Sequence, residues 1–248
     1  MGNIYGGGWA QKGGTSTVTG DVNITVGGDA KINNVFGGGS YSSVSGGATS
    51  VGGDVNITVA GGAIYNNIFA GGQGDFSTVG GGVRVSFTGS NDYACNVFGY
   101  GHPESATAVG DKSLEFVDYT GELSGDIGGF DGIVFTGNTS ATLSGTTIDN
   151  TVWSFDYTGR TFGADIAMLT FDNGTFAGGE LTLKLAASAA PADWNIAVGL
   201  ADTAVGFDYT VYVGNVEQTF VDGKVASGDY AGWSFVLEDS TLKFKQLA

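Results

Sequence analysis

The sequence predicts an all-β protein: a parallel β-solenoid of about 30 residues per turn, followed by a small antiparallel β-rich C-terminal module. Three observations carry that expectation. First, one phrase recurs at Asn3-Ile4-Tyr5-Gly6-Gly7-Gly8, Asn34-Val35-Phe36-Gly37-Gly38-Gly39, Asn67-Ile68-Phe69-Ala70-Gly71-Gly72 and Asn96-Val97-Phe98-Gly99-Tyr100-Gly101, its asparagines 31, 33 and 29 residues apart. Second, segments with an alternation of two lie between the phrases, at 18–26, 51–59 and 79–87, with a weaker copy from Val109 to Phe116. Third, 46 glycines stand against 2 prolines in a chain that is 42% hydrophobic and 12% aromatic, which is strand and turn chemistry rather than disorder.

In the phrase, stacking in parallel register puts Ile4, Val35, Ile68 and Val97 in one interior column. The flanking Asn3, Asn34, Asn67 and Asn96 then form an amide ladder, and Tyr5, Phe36, Phe69 and Phe98 an aromatic one. Glycines follow because tight corners need positive φ or an approach that a Cβ would block. Loops of unequal length, at 8–17, 39–50 and 72–78, mark a variable corner. In the alternating strands Val22, Ile24 and Val26 face the core, while Asn23 and Thr25 face solvent.

The phrase fades after residue 102, so the chain divides into regular repeats at 1–102, degenerate coils at 103–185 and a terminal capping or assembly module at 186–248. In the middle part Ile133–Phe135, Ala141–Leu143, Ile166–Phe171 and Glu180–Leu185 read as short strands. An echo at Val117-Asp118-Tyr119-Thr120-Gly121 and Phe155-Asp156-Tyr157-Thr158-Gly159 returns as Phe207-Asp208-Tyr209-Thr210. Leu185 to Ala192 reads as a linker or short helical turn. Beyond it lies an antiparallel meander, Val205–Val213, Val216–Val221, Lys224–Val225, Gly232–Leu237 and Thr241–Lys245, with a hairpin turn at Val221-Asp222-Gly223-Lys224.

The net charge of −16 disfavours nucleic acid and anionic lipid as partners. A single cysteine, Cys95, excludes an intrachain disulfide, and its setting predicts a small buried residue rather than a nucleophile served by His102. No apolar run reaches the length of a membrane span, and no signal-peptide pattern opens the chain. It therefore reads as a mature or excised piece of something larger, or as a subunit exported by other means.

The glycine-rich phrase, the Gly-Asp-Val-Asn-Ile-Thr-Val strands and the segments Phe135-Thr136-Gly137-Asn138, Leu143-Ser144-Gly145 and Trp153-Ser154-Phe155-Asp156 resemble β-solenoid passengers of bacterial autotransporters and large surface adhesins, over residues 1–185. The resemblance implies an extracellular or cell-surface scaffold. A full repeat at residue 3 with no cap ahead of it predicts head-to-tail association with itself, through Asn3, Ile4 and Tyr5 at one end and Leu242 and Phe244 at the other.

Other chemistry competes. Gly71-Gly72-Gln73-Gly74-Asp75-Phe76 approximates a calcium nonapeptide but lacks one residue and does not recur. Carboxylates crowd Glu115 to Asp131, including Asp118, Glu122 and Asp126, and with Trp153 or Tyr157 they would suit a protein that binds or cleaves surface glycans. Asn23-Ile24-Thr25, Asn56-Ile57-Thr58, Asn138-Thr139-Ser140 and Asn173-Gly174-Thr175 match the glycosylation acceptor pattern, as repeats rich in Asn and Thr do by chance. A rigid face with Thr25 and Thr58 would suit ice, although Asn23, Asn56, Arg84 and Ser86 interrupt it. The expectation is of a structural protein, not an enzyme, with no catalytic residue, metal or cofactor.

Overall fold

The structure is a computed structural model that describes every residue except 12, 42–46, 107, 145–147, 150–151, 173–178, 201–206 and 248. The protein is all-β, and no helix is present among the described residues. The first repeat supplies β1 (Gly2–Tyr5), β2 (Trp9–Ala10), β3 (Thr15–Val18) and β4 (Val22–Val26). The second supplies β5 (Lys31–Phe36), β6 (Ser40–Tyr41), β7 (Ala48–Val51) and β8 (Val55–Val59). Next come β9 (Ala63–Phe69), β10 (Ser77–Val79) and β11 (Val83–Gly89), then β12 (Asn96–Phe98) and β13 (Lys112–Tyr119).

Shorter repeats follow: β14 (Glu122–Leu123), β15 (Ile127–Gly128) and β16 (Gly132–Thr136), then β17 (Ala141–Ser144), β18 (Ile148–Asp149) and β19 (Val152–Asp156). The remainder is β20 (Leu169–Asp172), β21 (Glu180–Leu185), β22 (Trp194–Val198) and β23 (Asp208–Val213). The chain finishes with β24 (Val216–Glu217), β25 (Phe220–Val221), β26 (Lys224–Val225), β27 (Trp233–Glu238) and β28 (Thr241–Gln246).

In the phrase, short and long sheets, strands up to β23 pair with their counterparts one repeat away. The phrase sheet runs β1-β5-β9-β12-β15-β18, the short sheet β10-β7-β3, and the long sheet from β4 through β8, β11, β13, β16, β19 and β21 to β23, every pair parallel up to that strand. Register is strict where the repeats are most alike: Val22, Asn23, Ile24, Thr25 and Val26 stand opposite Val55, Asn56, Ile57, Thr58 and Val59. The alternating pattern predicts which side is inside, and burial agrees, since Val22, Ile24 and Val26 are buried while Asn23 and Thr25 are exposed.

The third side of the core changes place along the molecule. In the early repeats it is the short sheet, between the phrase strand and the long sheet, and it ends at the bridge from Val79 to Ala108. From the bridge between Tyr93 and Leu123 onward, a late sheet, β14-β17-β20-β22-β28-β27, takes over on the other side of the phrase strand. Without the short sheet the repeats contract: Leu114, Ile133 and Trp153 are register partners only 19 and 20 residues apart, whereas 28 separate Trp153 from Leu181. Larger interior side chains accompany the contraction. Phe116, Phe135 and Phe155 stack at 5.1 and 5.0 Å in the row that Val26 and Val59 occupy earlier.

The boundary expected at residue 186 is crossed by strand pairing. β23 continues the long sheet beside β21, and β22 continues the late sheet beside β20. The last strands pair antiparallel, with β24 folded back on β23, β28 between β22 and β27, and β25 and β26 in a hairpin, but the single strand expected at Val216–Val221 is split into β24 and β25 in different sheets, and β23 is also paired parallel with β21. Asp222 and Gly223 both take positive φ in that hairpin, the geometry a two-residue turn demands. Leu185 ends β21, and 186–192 form a linker with one turn at Ala187 and Ser188. Val205, the expected start of one strand, lies outside the described residues, and Ile166 to Met168 are not in a strand.

The echo holds for two of its three copies. Tyr119 ends β13 and Tyr157 directly follows β19, both with buried rings, donating to the backbone oxygens of Asn91 and Asn195 at 2.8 and 2.7 Å. Tyr209 instead pairs with Leu181 near the start of its strand, so the third copy is out of register.

The glycines after the phrase answer to close approach. A Cβ on Gly37 would lie 2.2 Å from the Ala70 carbonyl oxygen and 2.4 Å from Val55 Cγ1.

Candidate functional site

The first repeat presents a distinctive edge. β1, β3 and β4 are terminal strands of their sheets, and β2 pairs only with β6. Both ladders reach this edge. Asn34 donates Nδ2 to Asn3 Oδ1 at 3.0 Å, Asn67 to Asn34 at 3.0 Å, and Asn96 to Asn67 at 2.9 Å. At the far end the Asp126 backbone N–H donates to Asn96 Oδ1 at 2.9 Å and closes the ladder. The rings of Tyr5, Phe36, Phe69 and Phe98 stack at successive spacings of 5.0, 5.2 and 5.3 Å.

The aromatic row lies outside the interior column, yet Phe36 and Phe69 are buried. A short outer column accounts for this: Trp9 pairs with Ser40, Ser40 bridges to Gln73, and Gln73 to His102. The Tyr5 hydroxyl donates to Gln73 Oε1 at 2.7 Å, and the His102 ring lies 5.3 Å from that of Phe69. Sequence reasoning missed this column. Its signal was present, because Trp9, Ser40, Gln73 and His102 each stand six residues after a phrase asparagine. In the first repeat Trp9 is 66% exposed and Tyr5 36% exposed.

Of the five residues expected to mediate self-association, Asn3, Ile4 and Tyr5 lie on the edge strand β1. Leu242 and Phe244 do not lie on an edge. They are 1% and 0% exposed on β28, paired on both sides by β22 and β27, because the last strand inserts between its neighbours instead of ending the sheet. The open strands at that end are β24 and β27, with Val216 exposed on β24 and Val221 on the neighbouring hairpin.

The competing sites disperse. Glu115 on the long sheet pairs with Arg84 at 2.9 Å. Asp118 takes the Asn138 backbone N–H at 2.8 Å, Glu122 on the late sheet receives the Ser144 hydroxyl, and Asp131 pairs with Lys112 at 3.2 Å. Each of these carboxylates is already engaged, Glu115 and Asp131 in ion pairs and Asp118 and Glu122 in hydrogen bonds. Trp153 and Tyr157, expected beside such a cleft, are core residues at 0% and 3% exposure. Asp75 accepts the Ser105 hydroxyl at 2.7 Å, and no group of three or more His, Cys, Asp or Glu side chains suited to a metal is found among the described residues.

Cys95 is buried, and burial pushes its thiol up to about 12, far from a nucleophile's range. His102 is exposed on the outer column, on the other side of the phrase sheet from the core that holds Cys95. On the outer face of the long sheet, Asn23, Asn56, Arg84 and Ser113 share one row and Thr25, Thr58, Ser86 and Glu115 the next, a mixed surface. Thr139 is buried, with its hydroxyl donating to the Thr136 backbone oxygen, and Asn173-Gly174-Thr175 lies outside the described residues, as does 42–46 of the variable corner.

Comparison with protein-family models, curated proteins and solved structures finds no match to this chain.

Proposed function

We propose that the chain is a β-solenoid with a structural role, a subunit or segment of an extracellular or cell-surface filament or adhesin that associates head to tail through open strand edges. The solenoid reading is supported by parallel register repeated across the phrase, short and long sheets. The observation that carries the association is the first repeat: four strands there keep one side unpaired, beside the exposed ring of Trp9. Unpaired N–H and C=O groups in a row are a template for another strand. At the other end β24 and β27 offer backbone edges of the same kind. A heterologous contact between unlike ends does not close, so it propagates. The large negative charge favours solubility of such a body and discourages sideways clumping.

Electron microscopy of the purified chain across a wide concentration range tests the reading. Linear assemblies that lengthen with concentration are expected. Monodisperse single particles throughout would overturn it.

A further inference from the structure

We propose that the β1 edge is selective, accepting in parallel register a strand that carries the phrase itself: an asparagine followed two residues later by an aromatic ring. This inference rests on the reading of the first repeat as an association surface, and it names the partner's chemistry.

The internal steps define what fits. At each one the later asparagine donates Nδ2 to the Oδ1 of the earlier one, at 2.9 to 3.0 Å, and the later ring stacks on the earlier at 5.0 to 5.3 Å. Asn3 is the first member. Its Oδ1 is taken by Asn34, while its Nδ2 turns to the Tyr5 hydroxyl at 3.0 Å, a local substitute for the acceptor an earlier repeat would supply. The Tyr5 ring is stacked by Phe36 on one face and is 36% exposed.

The backbone is ready as well. Gly6 N–H bonds to the Phe36 carbonyl at 2.9 Å, so alternation along a parallel strand directs the N–H and C=O of Asn3 and Tyr5 to the open side. An incoming strand thus meets backbone groups, an amide donor and a ring face at the spacing the chain uses three times internally. β24 and β27 satisfy the backbone requirement alone, since neither carries an asparagine two residues before an aromatic ring, so a tail docking through them engages this edge more weakly than a phrase strand does.

The test is binding of a synthetic peptide copying residues 31–39, fluorescently labelled, to the full chain at concentrations where sedimentation shows single copies. Saturable binding is expected, and Asn34→Ala or Phe36→Ala in the peptide should each weaken it about fivefold, as loss of one hydrogen bond or one ring stack implies. Absence of binding, or equal binding by a scrambled peptide or by one copying 233–238, would overturn the inference. A chain that never assembles would remove homo-association and leave this experiment readable. A chain that assembles while ignoring the peptide would remove only the selectivity.

Discussion

Asn67 places its side-chain nitrogen 3.0 Å from the side-chain oxygen of Asn34, one repeat earlier, and its own oxygen accepts from Asn96 at 2.9 Å. The amides are half-buried between stacked strands, where an unmet partner is costly. Asn67→Ala removes both bonds and is expected to destabilise the chain by about 1–3 kcal/mol in urea unfolding.

Phe135 stacks between Phe116 and Phe155 at 5.1 and 5.0 Å in the contracted repeats, and is fully buried. Phe135→Ala leaves a cavity there, with an expected loss of about 3–5 kcal/mol. Phe135→Leu retains most of the volume, so thermal unfolding should place it between that variant and the parent.

Gly37→Ala forces a Cβ against the Ala70 carbonyl oxygen and Val55. A loss of about 1–3 kcal/mol is expected from this overpacking. Gly20→Ala meets nothing within 4 Å and serves as the control, with an expected change within about 0.5 kcal/mol by the same unfolding assay.

Burial raises the ionisation of the Cys95 thiol to about 12, and it raises the Tyr119 and Tyr157 phenols as well. Groups raised in the folded state stabilise it fully below their unfolded values, 9.0 for the thiol and 10.0 for the phenols. Stability should therefore hold to about pH 9 and fall above it, as the unfolded chain ionises first. Cys95→Ala should shallow that decline in a pH series of urea melts, and thiol reagents at neutral pH should label Cys95 only as fast as the chain opens.

Much of the early fold was legible because the residues that repeat are also the residues that touch. Asn34 and Asn67 bond to each other, and Val22 and Val55 face each other in register. Beyond the fourth phrase, at 96–101, this link breaks. The third side of the core passes from the short sheet to the late sheet, and interior positions change from Val26 and Val59 to Phe116 and Phe135, so register partners no longer look alike. Hence the matching letters of Phe155-Asp156-Tyr157 and Phe207-Asp208-Tyr209 are no guide to their pairing. The edge at Asn3 and Tyr5 was visible from the phrase, but the burial of Leu242 and Phe244 was not, because composition cannot tell an inserted last strand from a terminal one.

Association through the first repeat is tested most directly on β4. Val22 N–H bonds to the Asp54 carbonyl and the Val26 carbonyl accepts from Ala60, so alternation turns the N–H of Thr25 toward the open side. Thr25→Pro removes that donor and puts a ring on the edge without breaking an internal bond. In sedimentation velocity over rising concentration, the parent chain should shift to larger species while Thr25→Pro stays a single copy with an unchanged melting temperature. Equal assembly of both chains, or of neither, would contradict the account.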